Sequence, residues 1–124
     1  MATEGILLSV PGLEAAADLT GKQFYGVKIT APDTVNVCTV EGEYITGVLQ
    51  DEPAAAGRAA NVAVFGRTKA VAGAAIGASD KVMVGSDGRF LTWATGKHAE
   101  GIAIVGATAA GVVFDLLLKP MGVD

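Results

Sequence analysis

The sequence contains one cysteine, Cys38, and one histidine, His98, in 124 residues. A single cysteine excludes an intramolecular disulfide framework, and its place in the alternating run VNVCTV predicts a small buried core residue. Metal sites and activated nucleophiles therefore have almost no ligands or bases to draw on, and no HExxH, GxSxG or CxxC pattern occurs. We expect no enzymatic activity and no catalytic, cofactor or metal site.

Charged residues are also scarce, at 18% of the chain, while the mean hydropathy is +0.46. The composition is too apolar for a disordered chain, yet 17 glycines interrupt the apolar runs well before the roughly 20 residues that a membrane span requires. The opening run MATEGILLSVPG lacks the positively charged segment that begins a secretory signal. We expect a soluble domain that is made in a cytoplasm and has no membrane partner.

The few charges are unevenly distributed along the chain. Residues 1–53 carry a net charge of −6, and residues 54–124 carry +2. A nucleic-acid groove would concentrate Lys and Arg with stacking aromatics on one surface, so we expect no nucleic-acid partner. The asymmetry is compatible with head-to-tail contacts between subunits, although ordinary solvated faces account for most of these charges.

Short runs rich in β-branched and aromatic residues recur between glycines and prolines, which predicts strands. Ten such runs are present: Ile6–Val10, Phe24–Thr30, Val35–Val40, Tyr44–Leu49, Asn61–Phe65, Thr68–Ala72, Lys81–Val84, Arg89–Trp93, Gly101–Val105 and Val112–Leu118. Ten short strands indicate an all-β fold, a small closed or partly open barrel or sandwich. The one candidate for a short helix is Leu13–Leu19, which is too short to be stable without tertiary contacts.

Two turns can be predicted from their residues. In KVMVGSDGRFLTW, the GSDG tetrad joins two alternating runs, and Asp87-Gly88 can adopt the positive φ of a hairpin loop. Pro32 ends the preceding strand FYGVKIT, because proline cannot donate to a ladder. A new strand then begins at Thr34 or Val35.

Two segments 54 residues apart align without gaps: GVLQDEPAAAGRAANVAV at 47–64 and GIAIVGATAAGVVFDLLL at 101–118. Each has a strand opened by glycine, a small-residue turn, and a strand with alternating core positions. Two copies are too few for a solenoid, so we interpret them as a pseudo-repeat inside one barrel, with chance similarity as the alternative. Residues 1–30 then form an N-terminal arm or first strand with the short helix, and residues 31–124 form the barrel domain.

Two positions have alternative interpretations. The second segment has Val105-Gly106 where the first has Asp51-Glu52, so the turn itself does not require the acidic pair, which faces either solvent or a neighbouring protein. Trp93 ends an alternating strand. We favour a core position at one end of the barrel, and the alternative is an anchor in a subunit interface, where Trp is enriched.

The order of motifs over residues 44–119 resembles that of a known family. A GV…AAAG…V.V segment is followed by AVAGAAI, then by the SDKVMVGSDGRF hairpin, then by GIA…ATAAG…LLL. In this order the chain resembles the small capsid cement or decoration proteins of tailed double-stranded-DNA bacteriophages. It departs from the family at Ala78-Ser79-Asp80, where members usually have a glycine before the aspartate, and in residues 1–30.

The resemblance implies a structural role similar to that of lambda-type head decoration proteins. Such proteins bind the outside of the expanded capsid, commonly as trimers at three-fold or quasi-three-fold positions, and brace it against packaged DNA. The implied partners are the major capsid protein and further copies of the chain in a homotrimer, and the implied location is the exterior of the virion. The residues expected at capsid or subunit contacts are Ile6, Leu7, Leu8, Val10, Asp51, Glu52 and Trp93.

The N-terminal run ATEGILLSVPG has two interpretations within this role. It is either an arm that adds a strand to a neighbour's sheet edge, or the source of the first strand of the chain's own barrel. Two other functions stay open: a virion or cell-surface β-module that binds a ligand or receptor, and a small carrier or enzyme domain with a modified lysine at a hairpin tip. The tip here is SDG and has no lysine, which argues against the carrier.

Overall fold

The computed structural model describes the backbone of residues 7–123 and the side chains of residues 7–119. This part of the chain is all-β and contains no helix. It therefore has no helix that is long and apolar enough to cross a membrane. Its strands are β1 (Leu7–Val10), β2 (Glu14–Ala15), β3 (Gly26–Ala31), β4 (Thr34–Val37), β5 (Gly47–Leu49), β6 (Val62–Val71), β7 (Lys81–Val84), β8 (Phe90–Thr92), β9 (His98–Val105) and β10 (Val113–Val123). The predicted all-β fold is confirmed.

The strands form one sheet in the order β2-β4-β3-β5-β6-β10-β9-β7-β8, and β1 pairs with β6 outside that path. The sheet is not closed into a barrel, but both of its ends curl back. At one end, β2 follows β1 after residues 11–13 and pairs with β4 in parallel. At the other end, Ala72 directly follows β6 and forms a parallel bridge with Phe90 in β8. The molecule is therefore the partly open alternative of the predicted barrel or sandwich.

The helix considered for Leu13–Leu19 does not form, and β2 occupies part of this segment. Its amides bond to distant carbonyls: Ala15 N–H donates to Arg58 O and Leu19 N–H to Pro53 O, both at 2.8 Å. A seven-residue helix would gain few internal hydrogen bonds, whereas this extended path satisfies the amides and buries Leu13, Ala15 and Leu19. The segment depends on tertiary contacts, as expected, but its conformation is extended and not helical.

β6 combines two strands that the sequence predicted as separate, Asn61–Phe65 and Thr68–Ala72. It passes through Gly66, whose φ of 116° few other residues could adopt. Up to Gly66 it pairs with β1 and β5, and from Gly66 onward with β10. β6 therefore lies in the middle of the sheet and joins its two parts.

The predicted turns are present. β7 and β8 form the expected hairpin, and Gly88 has a φ of 86° in its loop. β3 ends just before Pro32, and β4 begins at Thr34 after Asp33, whose φ is 57°.

The segments 47–64 and 101–118 fold into the same antiparallel hairpin. The equivalent pairs are Val48↔Ala63 and Leu49↔Val62 in the first, and Ile102↔Leu117 and Ala103↔Leu116 in the second. Gly47 and Gly101 are both required by close approach, because a Cβ on either would overlap a carbonyl oxygen of the facing strand. Gly57 and Gly111, in the turns, have φ values of 85° and 84°.

This correspondence extends over most of the described chain. β3 pairs with β4 in the register that β7 and β8 repeat 55 residues later: Val27↔Val37 and Ile29↔Val35, then Val82↔Thr92 and Val84↔Phe90. The pairing of β1 with the first part of β6 is also repeated, by the pairing of the later part of β6 with β10. The pairs Ser9↔Ala63 and Val10↔Val62 correspond to Arg67↔Leu117 and Thr68↔Leu116. Even the positive φ values of Phe24 (70°) and Ser79 (71°) lie 55 residues apart. We call residues 7–65 the first half and residues 66–123 the second half.

Each half has a hydrophobic core built from equivalent positions. The first-half cluster is Leu13, Ala15, Leu19, Val27, Val35, Leu49, Ala60 and Val62. Their equivalents, in the same order, are Ala70, Ala72, Ile76, Val82, Phe90, Ala103, Phe114 and Leu116, and all lie in the second cluster. That cluster also takes in Cys38, Ile45 and Val48 from the first half, so the two halves pack together. The predicted burial of Cys38 is confirmed.

Candidate interaction surface

Two of the predicted contact residues of β1 are exposed, Leu7 at 39% and Leu8 at 55%. Leu8 pairs across the ladder with Phe65, which is 45% exposed, and the two side chains share one face of the sheet. We call Leu8 and Phe65 the β1 stripe; Leu7, as the adjacent strand residue, faces the other side. Val10 is half-buried and packs against the first-half core. Ile6 lies outside the described residues. Because residues 7–10 pair with the chain's own β6, they form a strand of its own sheet, and the arm hypothesis is left with residues 1–6.

The carboxylates of the acidic pair Asp51-Glu52 accept hydrogen bonds from the backbone of neighbouring segments. The Asp51 carboxylate accepts from the backbone N–H of Asn61, at 3.2 and 3.3 Å, where β6 begins. The Glu52 carboxylate accepts from the backbone N–H of Gly21. Both bonds are exposed, so the pair adds negative charge to the surface as well as holding loops together.

An open cavity of about 410 Å³ lies beside Asp51. It is lined by Ser9, Val10, Pro11, Asp51, Ala59, Ala60 and Asn61. We call it the first-half cavity. It exists because small side chains meet where β1 ends and β6 begins, and it brings together two predicted contact residues, Val10 and Asp51.

Trp93 lies in the second half, just after β8, and is not among the residues that line the cavity. It is half-buried and belongs to neither core cluster, so the favoured core interpretation was wrong. The reason is a local cap: its indole Nε1–H donates to Lys97 O at 2.9 Å, and Lys81 Nζ lies 4.7 Å from the ring centroid. These contacts keep the ring at the surface.

Sequence reasoning missed an exposed apolar surface on the second half. We call Val105, Val112 and Val113 the second-half patch. These residues are 52%, 36% and 45% exposed. Their equivalents in the first half are Asp51, Arg58 and Ala59. The aligned segments 47–64 and 101–118 could have indicated this surface. The first hairpin has Asp51 and Arg58 where the second has Val105 and Val112, so the hairpin fold itself does not require valine at these two positions.

Charged groups flank the second-half patch. Asp115 pairs with Val105 across the β9–β10 ladder and lies between Arg67 and Lys69, with N–O distances of 2.6 and 3.4 Å. The hydrogen bond from Arg67, assisted by Lys69, holds the pKa of Asp115 below its usual range despite some burial. The net charge beside the valines is therefore positive.

The buried ionisable groups lie between the halves. Burial raises the pKa of the Cys38 thiol to about 12, which makes it a neutral core residue at neutral pH. Burial also raises the pKa of Glu100 to about 7. Within residues 7–123 no group of three His, Cys, Asp or Glu side chains could hold a metal ion.

No protein-family model matches the chain, and no curated protein matches it. Among solved structures, the chain is similar to the N base of head fiber gp8.5 in bacteriophage phi29. The TM-score is 0.69, and the match covers 96% of this chain and 99% of that chain. Because the sequences are 15% identical, the likeness shows a shared fold.

Proposed function

We propose that this protein is a decoration protein of a bacteriophage head. In this role it binds the outer surface of the expanded capsid, stabilises the shell against packaged DNA, and acts as a homotrimer. Its partners are then the major capsid protein and further copies of itself, and it performs no catalysis. It would be made in the host cytoplasm and end on the exterior of the virion.

The observation that carries the proposal is the likeness to the N base of a phage head fiber protein, which extends over nearly the full length of both chains. Fold alone does not define function. Here, however, the motif order over residues 44–119 points independently to small phage head proteins. Two separate lines of reasoning thus lead to the same part of a virion.

The surface also suits such a role. The β1 stripe of Leu8 and Phe65 and the second-half patch expose apolar side chains that a protein partner would bury. A decoration protein acts in many copies, so each contact needs only modest affinity. We assign the stripe to the capsid contact.

Co-sedimentation with undecorated expanded capsids of the same virus tests this assignment. The protein should pellet with the capsids and saturate at a fixed number of copies per shell. The double variant Leu8→Ser/Phe65→Ser should bind at least about tenfold more weakly, since it removes the apolar area of the stripe. Val40→Ser is the matched control, because Val40 is similarly exposed, at 58%, and lies outside the stripe.

Failure of the unaltered protein to pellet with expanded capsids would contradict the proposed function. Equal weakening by Val40→Ser would contradict only the assignment of the stripe. The alternative function, a virion or cell-surface module that binds a ligand or receptor, would be favoured by a monomeric protein that ignores capsids.

A further inference from the structure

The first-half cavity and the second-half patch are equivalent surfaces of the repeat. Ser9, Pro11, Asp51, Ala59 and Asn61 line the cavity, and their equivalents, in the same order, are Arg67, Lys69, Val105, Val113 and Asp115. The strands beside the two surfaces pair in equivalent registers. Pro11, Asp51, Ala59 and Asn61 lie just outside the first-half strands, whereas their equivalents lie within β6, β9 and β10. The two surfaces therefore differ in local backbone as well as in side chains.

The two surfaces differ in shape. In the first half, Ala59 and Ala60 leave the hollow of about 410 Å³. In the second half, the equivalent Val113 and Phe114 are larger, and Val113 is 45% exposed beside Val105. One surface is thus concave, and the other presents apolar side chains outward.

The two surfaces also differ in charge. Beside the cavity lie Asp51, Glu52 and Glu14, the last forming a bridge with Ala59, and Arg58 is the nearby base. The residues equivalent to the three acids are Val105, Gly106 and Val71, which carry no charge. The second surface has Arg67 and Lys69, with side chains 44% and 60% exposed, against the one acid Asp115. The cavity side is net negative and the patch side is net positive.

We propose that the second-half patch of one copy docks into the first-half cavity of the next copy. Val105 and Val113 would enter the hollow, and Arg67 and Lys69 would face the acids around it, which favours this orientation over like surfaces meeting. Such a contact joins two different surfaces, so it is head-to-tail and makes a ring when the rotation between copies closes. The inference rests on the self-association included in the proposed function, and it specifies the surfaces.

Disulfide trapping tests the contact in the absence of capsids. Two single variants are made on a Cys38→Ala background, Ala59→Cys and Val113→Cys. A disulfide requires Cα atoms within about 7 Å, so only residues in direct contact will form one under mild oxidation. The expected result is a disulfide-linked pair when the two variants are mixed, and none when either is oxidised alone.

A repulsion variant provides a second measurement. Val113→Asp places an acid against the acidic cavity side and should weaken self-association at least about tenfold by light scattering. Val40→Asp is the control, with the same added charge on a similarly exposed residue elsewhere. Both substitutions are at exposed positions, so both variants should remain folded.

Three outcomes would overturn the proposal. Cross-linking of Ala59→Cys or Val113→Cys with itself would show that like surfaces meet. Absence of a cross-link in the mixture would show that the two surfaces do not touch. Loss of capsid binding by Val113→Asp with unchanged self-association would assign the patch to the shell. Because trapping uses no capsid, its failure would leave capsid binding untouched.

Discussion

Glu100 lies fully buried on β9, and neither carboxyl oxygen has a hydrogen-bond partner among the described residues. Burial raises its pKa from 4.5 to about 7, and the nearby backbone N–H of Ile45, which does not reach hydrogen-bond geometry, opposes that shift only in part. The equivalent first-half residue is Thr46, whose hydroxyl accepts from Ile29 N–H at 3.1 Å. The repeat therefore does not require an acid at this position, and Glu100 is a cost specific to the second half.

The first prediction concerns the pH dependence of stability. Because the pKa of Glu100 is higher in the folded state, protons bind the folded protein more tightly than the unfolded chain. Below about pH 4.5 the side chain is protonated in both states and does not lower the free energy of unfolding. As the pH rises through about 7, the buried carboxyl ionises and the free energy of unfolding falls. Glu100→Gln should therefore unfold like the parent at pH 4 and be about 2–3 kcal/mol more stable at pH 8. Urea denaturation at pH 4, 6 and 8 measures this. Glu41→Gln, at an exposed position, is the control, and a gain that is the same at all three pH values would contradict the account.

At the scale of elements, the two central hairpins depend on the same contact. Gly47 lies against the Ala63 carbonyl and Gly101 against the Leu117 carbonyl. At neither position is there room for a side chain, because the obstructing atoms belong to backbone held in a ladder. Each half therefore relies on its glycine to the same degree.

The second prediction follows from this equivalence. Gly47→Ala and Gly101→Ala should each lower the free energy of unfolding by about 1–3 kcal/mol, because the added Cβ forces the paired strands apart. Gly73→Ala is a control, since its nearest contact is a methyl group of the Leu91 side chain, which can move. Chemical denaturation at one pH compares the three. A variant within about 0.5 kcal/mol of the parent at either hairpin position would argue against the equivalence.

The sequence was most informative where local chemistry decides the structure. Pro32 and Gly88 marked their turns, and the similarity of 47–64 to 101–118 identified two segments that fold into the same hairpin. The wider correspondence was not visible, because the spacing between equivalent residues drifts from 58 at Ser9 to 54 at Gly47. Only strand register reveals it. The segment 13–19 was misread because tertiary hydrogen bonds outweigh local helix propensity.

The candidate surface was predicted in part for similar reasons. Leu7 and Leu8 were expected at a contact surface and lie exposed, but Phe65, the cross-strand partner of Leu8, comes from a strand more than 50 residues later. The cavity beside Asp51 likewise depends on three separate segments. The core position predicted for Trp93 was wrong because its ring is held at the surface by contacts with Lys81 and Lys97. The alternation of side chains along a strand gives no information about such contacts.

At the scale of the whole molecule, the chain consists of two similar halves with different surfaces. The negative charge of the first half and the positive charge of the second make the molecule directional. A subunit with two complementary surfaces can form a closed ring by head-to-tail contacts. Each copy in such a ring presents the same β1 stripe, so the ring can bind a shell through several equivalent contacts. Self-association and capsid binding would then use separate surfaces of one fold.

The measurement that tests this account most directly is the thermal stability of the expanded shell, recorded by calorimetry with and without the protein. A decoration protein binds the assembled shell and not its separated subunits, so saturating amounts should raise the disruption temperature by several degrees. The Leu8→Ser/Phe65→Ser variant at the same concentration should give a smaller rise. An unchanged disruption temperature at saturating protein would contradict the proposed function.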